Sequence, residues 1–99
     1  AAAMAGAAAC CRAVAQEVGR HGVTVNNVSL GTMRTPVTED LWRDPDKEDL
    51  RKVILNGYVV RRPGEPADAA WIVTALASPR AGWVTGQTIP VNGGFSFAL

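Results

Sequence analysis

Three groups of residues have types and spacings that could do chemistry. The first is the pair Cys10-Cys11. Adjacent side chains on a helix diverge by about 100°, which disfavours a disulfide between them. With no Cys-x-x-Cys spacing, and with His21 the only histidine, a zinc site lacks ligands. The two read as small buried thiols in a reducing cytoplasm. The second group is Arg61-Arg62, cationic enough to suggest a phosphate contact, but Pro63-Gly64 follows and the composition is that of a solvated turn. The third is the stretch VTVNNVSLGTMRTP over residues 23–36. Here a valine-rich run enters a small-residue loop and then Thr35-Pro36, a hydroxyl N-cap followed by a proline suited to the first turn of a helix. What sits at the carboxyl end of residues 23–29 is therefore the main functional question.

The elements that must position this loop follow from period and punctuation. Residues 1–20 predict a helix, rich in alanine. Met4, Ala7, Ala8, Cys11, Val14, Ala15 and Val18 share one stripe, with Arg12, Gln16, Glu17 and Arg20 around the other side. Its small side chains let another backbone approach closely, as against a partner helix. Gly19 and Gly22 mark its stop. Residues 23–29 predict a strand buried on both faces, as in parallel sheets, in which Asn26 and Asn27 must find hydrogen-bond partners. A short helix is expected from Pro36 to about Trp42. A second, over 45–56, is started by Asp44-Pro45, striped by Leu50, Val53 and Ile54, and ended by Asn56-Gly57. A third runs from Glu65-Pro66 to Ser78-Pro79 with Ala69, Ile72, Val73 and Leu76 on one face. Residues 86–91 predict a second strand, placed at a sheet edge by Pro90, which cannot donate to a ladder. Asn92-Gly93-Gly94 breaks it, and an apolar tail over 95–99 follows.

The order is helix, strand, three helices, strand. A strand–helices–strand unit implies a right-handed crossover between parallel neighbours. Two strands alone make a poor sheet, so residues 1–99 read as a single partial domain, the end of a larger α/β fold. Composition agrees with a folded chain: 47% of residues are hydrophobic and 19% charged. A net charge of +1, with acids and bases interspersed, provides no field for nucleic acid. No apolar run reaches the roughly 18 residues of a membrane span, and the apolar start lacks the basic flank of a signal peptide.

Four segments in order resemble the short-chain dehydrogenases/reductases. Val25-Asn26-Asn27-Val28-Ser29-Leu30-Gly31 is similar to that family's strand and Pro-Gly loop, and Thr35-Pro36 to the Thr-Pro that follows. Arg62-Pro63-Gly64-Glu65-Pro66, and Trp83-Val84-Thr85-Gly86-Gln87 through Val91-Asn92-Gly93-Gly94, match two later signatures. The resemblance covers essentially the whole chain. It implies the C-terminal portion of a Rossmann-like doubly wound parallel sheet, an NAD- or NADP-dependent parent enzyme interconverting carbonyls and alcohols, and subunit contacts through the first helix, the helix after Pro66 and the last strand.

The departures limit what this chain can do. The family's Tyr-x-x-x-Lys would place its lysine at Met4 and its tyrosine before Ala1. A thioether has neither charge nor N–H to offer, so Met4 cannot do the lysine's work. It reads as a core residue of the helix stripe. The Gly-rich phosphate loop is also absent, since Gly93-Gly94 follows a strand with no helix after it. By the resemblance, the cofactor contacts left are Leu30, Gly31, Met33 and Thr35, lining the nicotinamide site, with Leu30 where the family has proline. The chain alone is expected to be catalytically inactive, without catalytic residues of its own, and to bind cofactor weakly. The expectation is a cytoplasmic fragment that forms a homo-oligomer, or that pairs with a missing N-terminal half or a homologous subunit. The alternative is a degenerate, non-catalytic subunit acting in oligomer assembly.

Overall fold

The computed structural model describes residues 2–97. Residue 1 of the expected first helix and residues 98–99 of the expected tail lie outside the described residues. The elements are α1 (Ala2–Val18), β1 (Asn27–Leu30), α2 (Glu39–Arg43), α3 (Glu48–Asn56), α4 (Pro66–Leu76) and β2 (Thr88–Val91), in the expected order. The strands pair. The bonds from Asn27 N–H to the Gln87 carbonyl (2.8 Å) and from Gly31 N–H to the Val91 carbonyl (3.1 Å) advance four residues along both strands together, so the pair is parallel. Pro90, one residue out of phase with Val91, turns its missing donor away from this ladder.

The chain divides into two compact units. In the first, Ala1–Ser29 with Trp71–Ile89, the buried residue is Ala15. Of the expected α1 stripe, Ala8, Cys11, Ala15 and Val18 are covered, while Ala7 and Val14 are exposed. Met4 is 61% exposed and not a core residue. Cys10 is exposed and Cys11 half-buried, both as free thiols, which corrects the expectation of two buried ones. The helix tightens into a 3-10 turn over Gly19–His21 and stops at Gly22 in the left-handed region (φ 75°). Regular β structure begins four residues later than residue 23 because side chains interrupt the ladder before it, leaving one backbone bond there, from Gly86 N–H to the Val25 carbonyl (2.7 Å). Val25 N–H donates to Thr85 Oγ1 (3.0 Å). Asn26 Nδ2 donates to the Val84 carbonyl (3.0 Å), and Asn26 Oδ1 accepts from Gln87 N–H (3.2 Å). The Asn26 amide is therefore paired at both ends. Ser78 starts a 3-10 turn over Pro79–Ala81, its Oγ accepting from Arg80 N–H.

In the second unit, Leu30–Ala70 with Pro90–Leu99, the buried residue is Tyr58. The Asp44-Pro45 start is realised as a 3-10 turn over Pro45–Lys47, with the Asp44 carboxylate accepting from Asp46 N–H (3.0 Å). On α3 the covered line is Arg51, Ile54 and Leu55, and Leu50 and Val53 are exposed. The expected stripe turned because Arg51 folds inward. Its Nη1 donates to the carbonyls of Leu41 (2.9 Å) and Asp44 (2.6 Å), which closes the C-terminal end of α2.

Thr35 does not cap a helix. Thr38 N–H donates to the Thr35 carbonyl (3.0 Å), so residues 35–38 form a turn with Pro36 at its second position, where proline fits as well as at a helix start. The helix α2 begins only at Glu39.

Candidate cofactor-binding loop

The loop after β1 is held residue by residue. Gly31 is fixed by its ladder bond to Val91 and by close approach: a Cβ there would meet the Asn92 Cα at 3.0 Å. Thr32 N–H donates to the Tyr58 hydroxyl (2.9 Å), which in turn donates to Thr32 Oγ1 (2.6 Å). Met33 forms a parallel bridge with Gly64, made by Gly64 N–H to the Thr32 carbonyl (3.0 Å) and Arg34 N–H to the Gly64 carbonyl (2.7 Å). The Met33 thioether folds over this glycine: a Cβ at Gly64 would sit 2.5 Å from Met33 Sδ, so a larger residue there would displace the methionine side chain. In such a bridge the polar groups of Met33 itself face away from Gly64. The Met33 carbonyl is taken by Thr38 Oγ1 (2.7 Å), whereas its N–H has no partner among the described residues. Thr35 N–H donates to Thr38 Oγ1 (2.9 Å), and the Thr35 hydroxyl has only a 3.4 Å contact to that same oxygen.

Of the four residues expected to contact cofactor, Leu30 closes β1 with half its surface exposed, and Gly31, Met33 and Thr35 follow, partly covered. All four fall on one continuous segment. Its start, Leu30 to Thr32, lines an apolar cleft with Val53, Ile54, Tyr58 and Phe95. Its end, Arg34 to Pro36, lines a charged one with Glu39, Arg43 and Glu65. Arg34 donates to both Glu39 oxygens (3.0 and 3.4 Å), and Arg43 pairs with the same carboxylate. These contacts, led by the Arg34 hydrogen bond, hold Glu39 below the usual carboxylate range. Arg62 is committed elsewhere, forming two bonds with Asp68 (2.8 and 3.0 Å), and Arg61 donates to Asn56 Oδ1. The Arg61-Arg62 turn is structural.

Sequence reasoning passed over Thr38 and Tyr58. Thr38 carried no signal beyond its type. Tyr58 is the only tyrosine of the chain and directly follows a helix stop, but nothing local in the sequence marks it for burial.

Comparison with known proteins identifies the family. A family model described as Enoyl-(Acyl carrier protein) reductase matches residues 1–96. The 3-oxoacyl-(acyl-carrier-protein) reductase FabG of Vibrio harveyi is 40% identical over 94 residues, 95% of this chain and 36% of that protein. Dehydrogenase/reductase SDR family member 4 of Homo sapiens is 37% identical over 83 residues, 84% of this chain and 29% of its own length. A structure from Agrobacterium tumefaciens described as a 2-deoxy-d-gluconate 3-dehydrogenase, with bound NADP, superposes with a TM-score of 0.83. It is 32% identical, covering 95% of this chain and 37% of that one. The chain thus spans about a third of the length of these relatives. From residue 1 to residue 96, this chain belongs to the short-chain dehydrogenases/reductases, the Rossmann-type NAD(P)-dependent oxidoreductases.

Proposed function

We propose that residues 1–99 serve as the C-terminal part of an NAD(P)-dependent short-chain oxidoreductase, in which the loop after β1 meets the nicotinamide end of the cofactor. The observation that carries this reading is the Met33 N–H, turned away from Gly64 and unpaired among the described residues, two residues from the lightly engaged Thr35 hydroxyl. A nicotinamide carboxamide presents one carbonyl and one NH2. The Met33 N–H suits the first, and the Thr35 hydroxyl, which can accept or donate, suits either. Leu30 and Gly31 supply the apolar surface under the ring. The bound cofactor supplies the hydride that interconverts a carbonyl and an alcohol. This chain contributes orientation only, because Met4, at the position of the family's lysine, has no proton to give. The acid/base groups of the parent lie outside these residues. The working protein is cytoplasmic and assembles as a homo-oligomer or with the remaining half of the fold. Among the described residues, no helix is long and apolar enough to cross a membrane.

The test is titration of NADH and of NADPH into the intact gene product, followed by nicotinamide fluorescence. Thr35→Val is expected to weaken binding roughly tenfold, the loss of one hydrogen bond in a partly covered site. If neither cofactor binds the unaltered protein, the reading falls. Met4 motivates a second reading, a degenerate subunit that assists assembly without turnover. Introducing Met4→Lys separates the two, since NAD(P)H turnover rises only if the remaining catalytic groups are present.

A further inference from the structure

Tyr58 is the most buried large side chain among the described residues, at 8% exposure, yet it is a phenol and not a phenylalanine. Its ring lies against two glycines. A Cβ at Gly31 would stand 3.3 Å from Tyr58 Cε1, and one at Gly93 would stand 3.1 Å from Tyr58 Cδ1. Phe95 covers it further, with ring centroids 5.4 Å apart. A phenylalanine would fill this space equally well. What the hydroxyl adds is confined to one residue: it accepts from Thr32 N–H (2.9 Å) and donates to Thr32 Oγ1 (2.6 Å). Thr32 is a bend, and its anchored N–H directly precedes Met33, whose own N–H faces away from Gly64 in the parallel bridge.

We propose that Tyr58 is a positioning residue for cofactor, clamping the loop through Thr32 so that the Met33 N–H and Thr35 hydroxyl are presented together. This rests on the nicotinamide-side reading above. The clamp stands in for a backbone constraint the loop otherwise lacks at Leu30. In the parallel ladder, Asn27 and Gly31 direct their N–H groups at β2, so the Leu30 N–H, out of phase with them, faces the other way. A proline at that position would fix φ near −65° without breaking a ladder bond.

The experiment uses the intact gene product as wild type, Tyr58→Phe, Thr32→Val, and Tyr58→Phe combined with Leu30→Pro. NADH and NADPH affinities are read by nicotinamide fluorescence, and the state of the clamp by hydrogen exchange at the Thr32 amide. Tyr58→Phe is expected to speed exchange at Thr32 and to weaken cofactor binding about tenfold, and adding Leu30→Pro to recover most of that affinity. Thr32→Val leaves the tyrosine ring packed while removing its acceptor. It is expected to weaken binding in the same direction but by less, since the Thr32 N–H still donates to the phenol, and it carries the test if Tyr58→Phe does not fold. Wild-type affinity and unchanged exchange in Tyr58→Phe overturn the clamp while leaving the nicotinamide-side reading intact. An affinity loss that Leu30→Pro does not repair marks Tyr58 as packing only and also overturns it. A wild-type protein that binds neither NADH nor NADPH overturns both.

Discussion

Asp68 answers to two donors at once. Both its oxygens bond Arg62, and Oδ2 also accepts from Glu65 N–H (2.7 Å) across the first turn of α4. Arg62 first and Glu65 second hold its pKa at about 2. A carboxylate whose folded pKa is depressed adds stability that is present above its unfolded pKa and is lost as pH falls through the folded one. Stability, measured by urea unfolding followed by circular dichroism, is therefore expected to fall between about pH 4 and pH 2, and Asp68→Asn to flatten part of that limb. Glu39, lowered by Arg34, acts in the same direction. Gly94 makes a second residue-scale prediction. Its φ is 83°, and a Cβ would stand 2.8 Å from Val59 Cβ. Gly94→Ala should cost about 2 kcal/mol or more in the same assay, from left-handed strain and overlap together. Among the described residues, Trp42 Nε1 is a buried donor without a partner, so Trp42→Phe should leave the melting temperature unchanged or raise it.

At the scale of elements, local rules served well where one turn of chain contained all the relevant atoms. Asp44-Pro45, Gly22 and Ser78-Pro79 did what their residue types demand. Thr35-Pro36 did not, because proline suits a β-turn and a helix start equally and Thr38 took the hydrogen bonds. On α1, Gly6 faces open space and costs helix propensity for no packing return. Gly6→Ala is expected to raise stability by about 0.5–1 kcal/mol, seen as a higher thermal midpoint. The stripe of α3 was misplaced by one residue type: a periodic reading counts arginine as polar, whereas the stem of Arg51 is covered and its head closes α2.

At the scale of the molecule, a two-stranded sheet and exposed Trp71, Val73 and Trp83, the last 98% accessible, leave much apolar surface in water for a chain of this size. The 99-residue chain on its own should associate. Size exclusion with light scattering is expected to give a mass above 10.4 kDa, and a well-behaved monomer would count against an assembled state.

Element order, most stops and the family signatures were determined by the sequence alone, since caps and turn residues act over a few residues. Tertiary structure alone decided where β1 begins, which hydroxyl anchors the loop and why a lone tyrosine is buried. Those outcomes depend on groups far apart in the chain, Asn26 with Val84 and Thr32 with Tyr58, and no local pattern specifies which distant donor will find which acceptor.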